Sequence, residues 1–231
     1  MRSILVTGAG RGIGREFVRQ FLARGDRVFA ALRAPSAGRL ADLQQAHPDR
    51  LTLLDLDVAD LGSIAGFAGA LARHGEALDL LVNNAGVLPD GERFGSVVAD
   101  DLERSFRVNA AAPFLLTQAL APMLARGTQP RVANLSSELG SIARRAGFGT
   151  PSYCISKAAL NMVTRLQSLA LAPLGIGCVA LHPGWVKTDM GGAQAPLEAD
   201  VAVRGMIAVI DALQPTQYGG FYAYDGSALP W

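Results

Sequence analysis

Short apolar runs alternate along this chain with longer stretches whose apolar positions recur every three or four residues. The runs are Ser3–Val6, Val28–Leu32, Leu51–Leu54, Leu78–Val82, Arg131–Leu135, Gly177–Leu181 and Phe221–Tyr224. They are near-continuously apolar rather than alternating, which is how strands covered on both faces read. Between them the spacing predicts helices over Ile13–Ala23, Gly38–Ala46, Leu61–Arg73, Asp101–Ala125, Pro151–Ala172 and Ala199–Leu213. Strand–helix alternation of this kind predicts a parallel sheet with right-handed crossovers. No linker, fixed-period repeat or low-complexity tract interrupts it. Residues 1–231 are therefore expected to form one α/β domain, doubly wound, with about seven parallel strands and helices on both faces. Such sheets bind their ligands beyond the carboxyl ends of the strands.

Composition narrows the function. Half of the 231 residues are hydrophobic, enough for a sizeable core. The net charge is +1, from 21 basic and 20 acidic residues, with no long like-charge run, so no nucleic-acid partner is expected. No stretch approaches 18 consecutive apolar residues, so no membrane helix is expected. The opening MRSILVTGAG reaches a glycine loop after three strongly apolar residues, unlike a signal peptide. Cys154 and Cys178 do not form a C-x-x-C pair and read as thiols of a reducing cytoplasm. His47, His74 and His182 lie far apart and suggest no metal site.

The loop after the first strand reads T-G-A-G-R-G-I-G, Thr7 to Gly14. Gly8, Gly12 and Gly14 allow a tight turn, close approach of a pyrophosphate and close helix packing. The helix opening near Ile13 would aim free N–H groups and its positive dipole end at phosphates. The spacing differs from the common G-x-G-x-x-G fingerprint, but its place at the head of a strand–helix series points to a Rossmann-type dinucleotide site. An NAD site usually carries an acid at the end of the second strand. Here that strand ends in Arg33, and Arg11 stands inside the loop. Two guanidiniums suit a ribose 2′-phosphate, so NADP(H) is expected over NAD(H); the alternative is that both are solvated surface groups.

Tyr153 and Lys157, in Y-C-I-S-K, fall at i and i+4 of a helix for which Thr150 is the expected N-cap and Pro151 the first residue. A free phenol titrates too high to exchange protons well at neutral pH. A cation about 4 Å away, at an effective dielectric near 20, would favour the phenolate by roughly 4 kcal/mol, less the cost of desolvation. The strand Arg131–Leu135 ends in Ser136-Ser137, where a sheet presents ligand groups.

Taken together, these motifs resemble the short-chain dehydrogenase/reductase family over nearly the whole chain. The residues that carry the resemblance are T-G-A-G-R-G-I-G at 7–14, D-V at 57–58, N-N-A-G at 83–86, V-N at 108–109, S-S at 136–137, Y-C-I-S-K at 153–157 and H-P-G-W-V-K-T-D-M at 182–190. The ending G-G-F-Y-A-Y-D-G-S-A-L-P-W is similar to the compact carbonyl-reductase-like members, which include the C-factor and sniffer groups. The resemblance implies a catalytic set of Ser137, Tyr153, Lys157 and Asn109. Tyr153 would be the general acid/base, and Lys157 would hold the nicotinamide ribose and lower the phenol pKa. Ser137 would polarise the substrate carbonyl, and Asn109 would anchor a water of the proton path. Cofactor contacts are implied for Gly8, Arg11, Gly12, Ile13, Gly14, Arg33, Asp57, Val58, Asn84, Ala85 and Gly86. They are implied likewise for Tyr153, Lys157, Pro183, Gly184, Val186 and Thr188. Asn83 and Asn84 could instead be turn and sheet-locking groups, and Asn109 a helix-bending one.

The function so implied is hydride transfer between NADP(H) and a small, largely apolar aldehyde or ketone. The rival is a dinucleotide-binding signalling or sensor protein with incidental catalysis. Leu139, Phe148, Phe94, Trp185 and Met190 could line an apolar substrate pocket, and Arg144 and Arg145 could meet an anionic substrate or simply face solvent. A homo-oligomer, dimer or tetramer, through the helices near 101–125 and 151–172 is the expected assembly.

Overall fold

A computed structural model describes residues 1–75 and 77–231, with the side chains of 35–37 set aside. The strands are β1 (Ser3–Thr7), β2 (Arg27–Leu32), β3 (Leu51–Asp55), β4 (Leu80–Asn83), β5 (Arg131–Leu135), β6 (Gly177–His182) and β7 (Phe221–Ala223). The helices are α1 (Gly12–Ala23), α2 (Ala41–Ala46), α3 (Leu61–Ala72), α4 (Ala99–Phe106), α5 (Ala112–Leu124), α6 (Pro151–Leu171) and α7 (Ala199–Ala212). All strands pair in parallel in the order β3-β2-β1-β4-β5-β6-β7. The order reverses between β1 and β4, which opens a crevice at their carboxyl ends.

Two apolar cores explain why the strands read as continuous runs. In β1, Ile4 and Val6 point to one face and meet Phe17, Phe21, Val203 and Met206 of α1 and α7. Leu5 points to the other and meets Ile64, Phe67, Leu116 and Leu120 of α3 and α5. The side-chain period of two places successive residues in different cores.

The helix expected over Asp101–Ala125 is interrupted. Residues Arg107–Ala111 form a π turn between α4 and α5, and Asn109 sits within it, fully buried. Such a turn inserts one extra residue and is paid for only where local contacts demand it. Here Asn109 Nδ2 donates to Val87 O and to Ser156 Oγ, both at 2.9 Å, and Asn109 Oδ1 accepts from Val87 N–H at 2.9 Å. The helix-bending alternative for Asn109 describes this geometry.

A second departure from an all-apolar interior ties the middle of the sheet to the helix that carries Tyr153. Asn83 Nδ2 donates to Asn134 Oδ1 at 2.8 Å. Asn134 Nδ2 donates to Thr164 Oγ1 and Gln167 Oε1, and Gln167 Nε2 to Pro113 O. The chain of amides crosses from β4 through β5 to α6 and α5. Each member is satisfied by the next, so removing one leaves several buried groups unpaired. Asn134→Ala should cost about 2–4 kcal/mol, read in urea denaturation as a lower midpoint at unchanged slope.

Candidate active site

Three elements converge at the carboxyl ends of the central strands. The first is the glycine loop. Gly8 and Gly12 have left-handed φ values of +63° and +50°. Gly14 is required by close approach: a Cβ there would stand 2.3 Å from Gly8 O and 2.5 Å from Asn84 Nδ2. No side chain caps α1, and its first turn holds no acid, so the N–H groups there, including that of Ile13, are available to an anion. Thr7 holds the loop in place. Its Oγ1 accepts from Asn84 N–H at 3.0 Å and from Ala85 N–H at 3.1 Å. Asn84 Nδ2 donates to Thr7 O at 2.8 Å and Gly8 O at 3.2 Å. Asn84 thus spends its amide N–H groups on locking the loop.

The second element is the strand end and turn after β5. Ser136 and Ser137 part company here. Ser136 Oγ donates to Asn161 Oδ1 at 2.6 Å and is buried. Ser137 Oγ accepts from Leu139 N–H at 3.2 Å, and its hydroxyl lies near enough to the Tyr153 phenol to favour the phenolate. Gly140 lets this turn lie against α6, since a Cβ would stand 2.6 Å from the carbonyl carbon of Lys157.

The third is α6 itself. It begins at Pro151 as expected, but Thr150 does not cap it: Thr150 lies at φ 45° and its side chain accepts no helix N–H. The cap comes from Glu92, sixty positions upstream, whose carboxylate accepts from Ser152 N–H at 3.2 Å and from the Ser152 hydroxyl. Lys157 is buried at 4 % exposure, and its Nζ donates to Leu135 O at 2.6 Å. The ammonium lies over the ring of Tyr153, 5.5 Å from the centroid.

That geometry corrects the expected tuning of the phenol. Burial pushes Tyr153 up to about 12, outweighing the Ser137 hydrogen bond that favours the phenolate. Burial also pushes Lys157 down to about 7. The cation lies over the ring and donates to a backbone carbonyl, and desolvation is the largest influence on both groups.

Other expected residues take up places around this centre. A Cβ at Gly86 would lie 3.8 Å from Lys157 Nζ and 3.2 Å from Asn109 Oδ1, a narrow trough beside the lysine. Asn109 gives its amide N–H groups to Val87 and Ser156, which leaves its side chain no donor for the expected water. Asp57 Oδ1 accepts from Ala59 N–H at 2.9 Å, and Val58 packs on the α3–α5 core. After β6, Gly184 has φ +83°, Val186 is buried, and Thr188 Oγ1 accepts from Gly191 N–H. This segment, with Pro183, returns to the glycine loop: a Cβ on Gly12 would meet Thr188 Cγ2 at 3.2 Å. Arg11 pairs with Asp189 at 3.0 Å, both exposed, while Arg33 is exposed and its guanidinium has no partner among the described residues. Arg144 pairs with Glu138 at 3.5 Å, which favours the solvated reading of that loop.

Sequence reasoning passed over Thr7, Glu92 and His182 as site residues. His182 ends β6; its Nε2 is 3.7 Å from Glu138 Oε1 and its buried Nδ1 has no hydrogen-bond partner. Burial holds its pKa below the usual histidine range. Only the H-P-G-W motif hinted at it.

An uncapped helix N-terminus behind a glycine loop, and a Ser–Tyr–Lys group across the crevice, define a doubly wound oxidoreductase of the dinucleotide-binding class. The chain belongs to the short chain dehydrogenase family, whose pattern residues 2–198 match. The structure is similar to NADPH-bound carbonyl reductase from chicken fatty liver, with a TM-score of 0.94 and 39% identity, covering 100% of this chain and 99% of that one. It is equally similar to the carbonyl reductase Sniffer of D. melanogaster, with a TM-score of 0.94 and 33% identity over 100% of both chains. C-signal of Myxococcus xanthus is 46% identical over 154 residues, 67% of this chain and 93% of that protein. Among the described residues, no helix is long and apolar enough to cross a membrane.

A lysine whose folded pKa lies near 7, against 10.5 when unfolded, binds fewer protons in the folded chain across that interval. Stability should therefore rise with pH above 7. Tyr153 and Cys178, both pushed up to about 12, do not oppose this until their unfolded values of 10.0 and 9.0 are approached. Urea denaturation of the ligand-free chain at pH 7, 8 and 9 should show the rise, and Lys157→Met should flatten it.

Proposed function

We propose that this chain is an NADP(H)-dependent reductase of small, largely apolar aldehydes or ketones. The observation that carries the reading is the buried Lys157 ammonium held against the Tyr153 ring and Leu135 O, with the Ser137 hydroxyl near the phenol and the N-terminus of α1 uncapped at the glycine loop. When bound, a nicotinamide cofactor would supply or accept the hydride. The first-turn N–H groups of α1 would hold its pyrophosphate, Arg33 its 2′-phosphate, and Lys157 its ribose. The trough at Gly86 and the Pro183–Thr188 segment would flank it.

The rest is the work of the chain. Ser137 and Tyr153 would donate hydrogen bonds to the carbonyl oxygen, where negative charge grows during reduction. Tyr153 would then release its proton to that oxygen. A phenol near 12 keeps its proton at neutral pH, which suits the acid role in reduction. The reverse reaction needs the phenolate and should gain rate as pH rises.

A homo-oligomer of this chain would cover the apolar outer face of α6, where Ile155, Met162, Leu166 and Leu169 are exposed. Two unpaired thiols, Cys154 and Cys178, suit a reducing cytoplasm. A second reading, a dinucleotide-binding signalling protein with incidental catalysis, is favoured by the likeness to C-signal.

Tyr153→Phe should lower carbonyl-dependent NADPH consumption by about a thousandfold while NADPH binding, followed by fluorescence titration, persists. Unchanged consumption across a panel of carbonyls rejects the reductase reading. Loss of turnover with survival of the cellular role selects the signalling one. For the cofactor, Arg33→Ala should weaken NADPH binding by about ten- to a hundredfold and leave NADH binding unchanged. An equal loss for both would move the 2′-phosphate elsewhere.

A further inference from the structure

The connection from β4 to α4 is fixed to α6 at two points one helical turn apart. At one, Asn109 joins Ser156 to both backbone groups of Val87. At the other, Glu92 takes the backbone N–H and hydroxyl of Ser152, which is 1 % exposed. Ser152 and Ser156 are separated by four positions and form a stripe one residue before the Tyr153–Lys157 stripe of the same helix. The strap between the two anchors, residues 87–92, is therefore held at both ends to the turn of α6 that carries Tyr153. Two residues beyond Glu92, the ring of Phe94 meets Phe148 edge to face at 5.7 Å. Phe148 lies in the loop that leads into α6. Both rings are exposed, Phe94 at 90 % and Phe148 at 59 %. They do not fill a core, and Phe148 stands a few positions before Tyr153 in the chain.

The anchor is chemically specific. A helix N-terminus carries free N–H groups and a positive dipole end, and a carboxylate is its best partner. Thr150 holds the capping position but is turned away at φ 45°. A residue remote in sequence thus fixes both the start of the helix that carries Tyr153 and the strap beside it.

We propose that Glu92 is a positioning residue: by capping α6 in place of Thr150 it fixes the 87–96 strap and holds Phe94 against Phe148 as a wall for the apolar, aryl-sized part of the carbonyl substrate. The proposal rests on the reductase reading and deepens it by naming a substrate class. Aromatic rings offer an edge and a face on which an aryl group can pack.

The test compares wild type with Glu92→Ala, Glu92→Gln and Phe94→Ala. Steady-state kinetics use an aryl ketone and a short aliphatic aldehyde, and hydrogen exchange is followed across residues 87–96. Glu92→Ala should raise KM for the aryl ketone about tenfold, with kcat and NADPH binding little changed. The aliphatic aldehyde should be affected less, and exchange in the strap should quicken. Glu92→Gln keeps an acceptor for Ser152 N–H and should restore most of the aryl KM. Phe94→Ala should reproduce the aryl effect without the faster exchange. Equal losses for both substrates and for NADPH would reduce Glu92 to general stability and overturn the proposal, as would unchanged exchange in Glu92→Ala. If wild type reduces neither compound nor any other carbonyl, the reductase reading falls and the substrate wall with it. Exchange in the strap still reports on the latch in that case, so the two failures are distinguishable.

Discussion

A lysine ammonium buried against one strand-end carbonyl is a costly arrangement, and the site is organised around it. Lys157 donates to Leu135 O and has the face of Tyr153 over it, which compensates desolvation only in part. The residual cost is visible in its depressed pKa. A charge so placed can persist only if the strand and helix that hold it are locked together. The Asn83–Asn134–Thr164–Gln167 chain supplies that lock through the interior, and Gly140 supplies the close approach at the rim. Stability and reactivity therefore draw on the same contacts between β5 and α6.

The same arrangement gives three asparagines one structural task. Asn84, Asn109 and Asn134 all stand in or near recognisable motifs, yet each uses its amide on the protein. Asn84 closes the glycine loop on β4, Asn109 pins Val87 to α6 through a π turn, and Asn134 bridges strand to helix. Their common effect is rigidity: backbone that must meet a ligand is held by side chains that do not. A site with fixed hydroxyls facing a fixed anion cradle needs little reorganisation when charge develops.

Electrostatics in the site is governed by burial more than by pairing. The sequence places a cation one helical turn from a phenol, and the simplest Coulomb argument favours the phenolate. In the folded chain both groups lose water and the ammonium meets the ring face, so each moves toward its neutral form. For a catalyst of carbonyl reduction a protonated phenol is the useful state, and burial preserves it.

The fold was legible in the order of apolar runs, because strands buried on both faces and helices buried on one leave different periods. The glycine loop, Ser137, Tyr153 and Lys157 were legible too, since turn chemistry and helical spacing are local. The breaks were not. The π turn at Arg107–Ala111 exists because Asn109 meets Val87 and Ser156, and the αL conformation of Thr150 goes with a cap in which Glu92 accepts from Ser152, sixty residues further on. By itself the sequence determined the elements, their parallel pairing and the residue types at the rim. Only the tertiary structure decided which side chain caps α6 and which way the two titrating groups move. Those outcomes depend on contacts and lost water between segments far apart in the chain, and no local pattern records them.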